Sequence, residues 1–159
     1  MDKKYNFEEL RSVIAALRSE NGCPWDKKQT HESLKPCMIN EMVEAVAGIN
    51  IYKETGDGTN LCEELGDVLL QVLLQSQIAE EEGLFNVEDV ISGLCEKMIR
   101  RHPHVFAGQA PGSDSALLAR WDEIKKKEKS GRSKEHEKTL KDAEKAAKIE
   151  VFQYLESDL

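Results

Sequence analysis

"ELGDVLLQVLLQSQIAEEEG", from Glu64 to Gly83, is the longest apolar segment of the chain, and it opens on two acids. At about 100° per residue, Glu64, Asp67, Gln71, Gln75 and Ile78 fall in one stripe. Leu65, Leu69, Val72 and Leu73 form the neighbouring apolar arc. That period predicts a helix whose acids border the core instead of occupying its fully solvated side. Asn60 and Glu63 have the spacing of a capping box at its start, and Gly83 is a stop signal at its end.

A second acidic stretch, "EMVEA" at Glu41–Ala45, lies in an apolar segment of its own. Ser33 is placed to cap that helix, Pro36 is tolerated in its first turn, and "TGDG" closes it after about Lys53. Before it, "FEELRSVIAALRSENG" repeats Phe7, Leu10, Ile14 and Leu17 at helical spacing and stops at Asn21-Gly22. "CPWDKKQTH" reads as a loop. Beyond Gly83, Asn86 can cap "VEDVISGLCEKMIRR", which must end before Pro103. "GQAPGSDS" is a loop and "ALLARWDEIKKKEK" a short helix. "SGRSKEHEK" is a polar hinge, and "TLKDAEKAAKIEVFQYLESDL" is a final helix with a stripe of Leu140, Ala147, Val151, Tyr154 and Leu155. No repeat and no alternating strand pattern interrupts this series. The expected fold is all-α, an antiparallel helical bundle with short loops.

Composition bounds the function. The chain has 159 residues, enough for one domain with a core, with 40% hydrophobic and 33% charged residues. Its formal net charge of −8 argues against a nucleic-acid partner held by a basic surface. An anionic ligand would need a local cation cluster or a metal. No apolar run reaches the roughly 18 residues of a membrane span. "MDKKYNFEEL" has no apolar stretch of the kind a secretory signal carries, so a cytoplasmic location is expected. Cys23, Cys37, Cys62 and Cys95 form no CxxC pair and are expected to be reduced thiols.

On a helix, residues i and i+3 project together, so Glu41 pairs with Glu44 and Glu64 with Asp67. If the two helices pack antiparallel, the pairs converge, and clustered carboxylates need cations to stay ionised. Hard oxygen ligands favour Mg²⁺, with Mn²⁺ as a substitute, over zinc. Taken alone, such pairs also occur on solvated acidic faces. The chain has no Glu-x-x-His of the kind a di-iron bundle uses. Lys97 and Arg101, spaced i, i+4, share a face, and Trp121 and Lys125 repeat the spacing. Such cations suit a polyphosphate, although helix C-termini also attract them. Trp25 offers a flat surface for a base, and Asp26, Gln29 and His31 offer hydrogen bonds to base or sugar. A loop Trp also serves as a lid over a core.

"GCPWDKKQTHESL", "EMVEA", "EELGD" and "EKMIRRHPHVF", in that order, resemble the MazG-type nucleoside triphosphate pyrophosphohydrolases over about residues 7–127. The resemblance implies an all-α NTP pyrophosphatase fold, completed by a homodimer or higher homo-oligomer, and Mg²⁺-dependent hydrolysis of NTP to NMP and pyrophosphate. It implies Glu41, Glu44, Glu64 and Asp67 as metal ligands, with Glu41 or Glu44 taking a proton from water. Lys97, Arg101 and Lys125 would hold phosphates. Trp25, Asp26, Gln29, His31, Gln71 and Trp121 would contact the substrate. Residues 1–129 would be the catalytic domain and 130–159 a helical extension beyond the resemblance. The chain departs from the family pattern at Asn40, where an acid is frequent, and at Gln75, where a histidine is common. Rival readings are a related enzyme acting on dUTP or phosphoribosyl-ATP and a non-catalytic nucleotide-binding or helical interaction module.

Overall fold

The computed structural model describes residues 3–110 and 112–157. Among the described residues eight helices succeed one another: α1 (Phe7–Arg18), α2 (Pro24–Lys28), α3 (Lys35–Thr55), α4 (Thr59–Glu81), α5 (Val87–Arg101), α6 (Pro103–Phe106), α7 (Asp114–Lys129) and α8 (Lys134–Ser157). There is no strand among the described residues, as the all-α reading requires. The chain divides into two compact units, residues 1–90 and 91–159.

In the first unit, α3 lies along α4, and α1 packs on α4 and on α2. Glu41 approaches Glu64 and Asp67, while Gly48, further along α3, approaches Asn60 and Leu61. Rising numbers on α3 meet falling numbers on α4, so the pair is antiparallel. Gly48 sets the closeness: a Cβ there would stand 3.1 Å from the Leu61 Cα. Ile14 of α1, Leu34, Leu73, Leu74 and Ile78 of α4, and Val87 form the core, with Leu10, Leu17, Cys37 and Leu70 packed against it.

The apolar arc predicted on α4 is only half right. Leu73 is buried, but Leu65 is 54% exposed and Leu69 is exposed too. The stripe that carries Glu64 and Gln71 is itself buried, together with Ile78. The reason is the neighbour at each level. α1 supplies Ile14, Leu10 and Leu17 to the C-terminal half of α4, whereas α3 covers the acidic stripe of the N-terminal half.

Capping also departs from the sequence reading. Ser33 does not cap α3, whose N-cap is Leu34 with no side-chain bond. Asn60 lies inside α4, which starts from Gly58, and its Nδ2 donates to Glu64 Oε1 at 2.8 Å. Asn86 does cap α5, by a reciprocal pair in which Asp89 N donates to Asn86 Oδ1 and Asn86 N to Asp89 Oδ2, both at 3.0 Å. Asn6 builds the same box with Glu9 on α1.

In the second unit, Ser113 caps α7. The expected hinge shrinks to residues 130–133, because the Ser133 hydroxyl accepts the His136 N–H and starts α8 early. The last two residues of the helix expected there, 158 and 159, lie outside the described residues.

Candidate active site

α3 and α4 bring Glu41, Glu64 and Asp67 together, with one carboxylate oxygen from each lying within 4.8 Å of the others. Glu64 is almost buried, and Glu41 and Asp67 are half-buried. Burial first, and then the charges of Asp67, Glu44 and Glu64, push the Glu41 carboxyl above its ordinary range. Glu44 stays outside the convergent trio and is exposed, yet it is near enough to act on Glu41 through its field.

Gln71 stands one turn beyond Asp67 and is 4% exposed, and its Oε1 is buried without a hydrogen-bond partner. An orphaned amide oxygen of this kind costs about 1–3 kcal/mol. A cluster of three carboxylates with one oriented by an amide fits a hard divalent cation: the donors are all oxygen, and the repulsion raising the Glu41 carboxyl is what a cation relieves.

The segment read as a plain loop contains α2, and it is highly organised. Cys23 N donates to the Leu17 carbonyl at 2.8 Å and Gly22 N to the Ser19 carbonyl at 2.9 Å. Only glycine fits at 22, since a Cβ would come within 2.2 Å of the Leu17 carbonyl oxygen.

Gln29 spends its amide locally. Its Nε2 donates to the Trp25 carbonyl at 3.0 Å, and its Oε1 accepts the Ser33 hydroxyl at 2.7 Å. Thr30 and Ser33 exchange side-chain-to-backbone bonds. His31 Nδ1 bonds to Gln75 Oε1, and Gln75 Nε2 donates to the His31 carbonyl at 3.2 Å. Gln75 therefore braces this segment from α4. Trp25 is 56% exposed, and Asp26 is half-buried.

Arg18 was not singled out by the sequence. Its side chain is 6% exposed. Nε donates to Glu81 Oε1 at 3.0 Å and Nη2 to Glu81 Oε2 at 2.7 Å. Nη1 donates to the carbonyls of Asp26 and Gln29 at 2.5 and 3.1 Å. The Arg18 hydrogen bonds hold the Glu81 carboxyl below the usual range. In sequence Arg18 looks like an ordinary cation in the last turn of α1, and nothing local marks it as buried.

In the second unit, Arg101 and Arg100 of α5 grip one carboxylate of α7. Arg101 Nη2 lies 2.6 Å from Glu128 Oε2, and Arg100 Nη2 lies 2.7 Å from Glu128 Oε1. These bonds lower the Glu128 pKa to about 2. Lys125 Nζ sits 4.3 Å above the Trp121 ring, a cation–π contact. Trp121 Nε1 and His104 Nδ1 are buried donor or acceptor atoms without partners. Lys97 is half-buried on the same helix as Arg101. An anion-binding group is thus present, with a carboxylate already seated in the arginine fork.

An all-α chain in which two antiparallel helices bring three carboxylates together has an oxygen-donor cluster of the kind that could hold a metal ion. Residues 29–106 match the MazG nucleotide pyrophosphohydrolase domain, and through that segment the chain belongs to the MazG family.

The chain is 54% identical over 123 residues to the nucleoside triphosphate pyrophosphohydrolase/pyrophosphatase MazG of Thermotoga maritima, a match covering 77% of this chain and 45% of that protein. It is 40% identical over 125 residues to the nucleoside triphosphate pyrophosphohydrolase of Escherichia coli strain K12, covering 78% of this chain and 46% of that one. It is also 49% identical over 150 residues to the uncharacterized protein YabN of Bacillus subtilis, covering 92% of this chain and 30% of that protein. That last match is long enough to take in part of residues 130–159. The chain spans less than half the length of each of these relatives.

Proposed function

We propose that this chain hydrolyses nucleoside triphosphates to nucleoside monophosphate and pyrophosphate, with Mg²⁺ as its metal and Mn²⁺ as a substitute. The observation that carries the reading is the convergence of Glu41, Glu64 and Asp67. The family match over residues 29–106 and the activity for which the Thermotoga and Escherichia relatives are named support it.

In this reading Glu41, Glu64 and Asp67 hold the cation and Glu44 adds charge at its edge. When bound, the metal supplies Lewis acidity to phosphoryl oxygens and lowers the pKa of water. Glu41 or Glu44 accepts the proton of the attacking water at a carboxylate oxygen. Lys97, Arg101 and Lys125 bind phosphate oxygens and hold the charge that grows there. Arg101 must first leave Glu128 or share its fork. Trp25 stacks on the base, Asp26 and His31 hydrogen-bond to the nucleoside, and Gln71 and Trp121 line the substrate. Residues 1–129 form the catalytic part and 130–159 its helical extension, in a homo-oligomer.

The test is pyrophosphate release across a panel of NTPs and dNTPs, with dUTP and phosphoribosyl-ATP included, with Mg²⁺ and in EDTA. Mg²⁺-dependent release from at least one NTP is expected. Full activity in EDTA, or nucleotide binding without turnover under every metal, would refute the proposal. Release from dUTP or phosphoribosyl-ATP alone would move the chain to a related activity.

A further inference from the structure

Arg18 makes five hydrogen bonds at once, three to the Glu81 carboxylate and two to backbone carbonyls. Nε and Nη2 face Glu81 on α4 as a two-point fork, at 3.0 and 2.7 Å. Nη1 reaches the other way, to the backbone carbonyls of Asp26 and Gln29. Those carbonyls belong to α2 and the residue that follows it, the stretch that carries Trp25. Gln77 Nε2 donates to Glu81 Oε1 at 3.2 Å and steadies the far end of the pair.

The arrangement is built, not incidental. A guanidinium with 6% of its side chain exposed has lost its water and must be satisfied by protein. Its planar donors are divided between a carboxylate and two carbonyls, a geometry that lysine cannot reproduce. A surface pair that only stabilised α1 against α4 would not need the Nη1 bonds.

We infer that Arg18 is a positioning residue for the nucleotide: by tying the Asp26 and Gln29 carbonyls to Glu81, it fixes the segment 23–34 on α4 in the pose that receives base and sugar. This inference rests on the pyrophosphohydrolase reading. Gln75 and His31 anchor the other end of the same segment. The segment is therefore held at two points, and the exposed Trp25 is presented from a fixed support.

The test uses the full chain with Arg18→Lys and Glu81→Gln, and two readouts. Amide hydrogen exchange reports the segment without substrate. Steady-state kinetics with the best NTP of the panel report its use. In Arg18→Lys, amides of residues 23–34 should lose protection while those of α3 and the first half of α4 keep it. KM should rise about tenfold with kcat within about twofold, the signature of lost ground-state binding. Glu81→Gln keeps the Nη1 bonds and half of the fork, so it should show the same change more weakly. Wild-type exchange in residues 23–34, or loosening there with KM unchanged, overturns the inference. So does a uniform loss of protection with a lowered melting temperature and unchanged KM, which is what a purely structural ion pair gives. If the wild-type chain cleaves no NTP, the pyrophosphohydrolase reading fails on its own, and the exchange readout still decides whether Arg18 fixes the segment.

Discussion

Glu41 is the residue on which the electrostatics of α3 and α4 turn. Its carboxyl is pushed up by burial and by three neighbouring acids, so ionising it costs the folded chain more than the unfolded one. Stability contributed by its proton is lost as pH rises through that range. Glu41→Gln should therefore raise the melting temperature of the metal-free protein at neutral pH. The wild type should gain about 2.7 kcal/mol from Mg²⁺ at a hundred times its Kd, and the variant should gain much less. Asp67→Asn, nearly isosteric, should keep the fold and lose most turnover. Thermal melts with and without Mg²⁺ decide the Glu41 outcome, and pyrophosphate release decides the Asp67 one; a Glu41→Gln protein that melts no higher than wild type without metal would contradict the repulsion. Arg101 carries the complementary prediction. Arg101→Ala should lose on the order of a hundredfold in kcat/KM, about 2.7 kcal/mol, if it holds phosphate. Arg101→Lys should not restore it, for want of the planar fork. Near-wild-type kinetics with a lower melting temperature would return Arg101 to the role of a partner for Glu128. The convergence of Glu41, Glu64 and Asp67 was legible in the sequence because spacing on a helix fixes which side chains share a face, whereas Glu44, expected with them on the same spacing, stays outside the trio. Arg18 was not legible, because its partners, Glu81 and two backbone carbonyls in and just after α2, are set by how α1 meets α4 and α2 and not by any local pattern.

At the scale of elements, a single carboxylate ties α5 to α7. Glu128 accepts from both Arg100 and Arg101, and its pKa stands at about 2 against an ordinary 4.5. A depressed carboxylate stabilises the fold above its unfolded pKa and loses that contribution as pH falls towards the folded one. The melting difference between wild type and Glu128→Gln should therefore be full at pH 6 and shrink between about pH 4.5 and pH 2. A difference that is constant with pH would mean that the pair contributes through packing alone. Element existence was readable: each helix expected from the sequence is present, and Asn86 caps as its position implied. Element starts were less so. Asn60 has the right spacing for a cap but prefers Glu64, one turn on, because that carboxylate is nearly buried and needs a donor. Ser33 likewise bonds Thr30 and Gln29 and leaves α3 uncapped. A polar side chain with two possible partners cannot be assigned from sequence when one partner's burial is unknown.

At the scale of the whole molecule, burial is uneven. Every buried apolar side chain among the described residues belongs to residues 14–87, from Ile14 to Val87. In residues 91–159 none of the described residues is buried, although Val105, Phe106, Leu118 and Phe152 are each about 60% exposed. α3 shows Met38, Met42, Val46 and Ile49 to solvent along one stripe, and α4 adds Leu65 and Leu69. Contiguous apolar surface of this kind marks an interaction face. The periodicity of the sequence marks apolar stripes but cannot say what covers them, since the same stripe serves a core or a second chain. With the antiparallel α3–α4 pair presenting one such face, a second copy of the chain is the expected cover, by a symmetric contact that completes a helical bundle. Light scattering at micromolar concentration should therefore give at least twice the 18.0 kDa chain mass. Val46→Glu separates this from a merely tolerant surface. Val46 is 53% exposed, so on a monomer the change should cost no more than about 0.5 kcal/mol. At a dimer face it places an unpaired carboxylate in an apolar contact, and the protein should dissociate and melt lower as it is diluted. A wild-type protein that is monomeric and active at micromolar concentration, or a Val46→Glu protein with unchanged mass and melting, would rule this face out as the contact between copies.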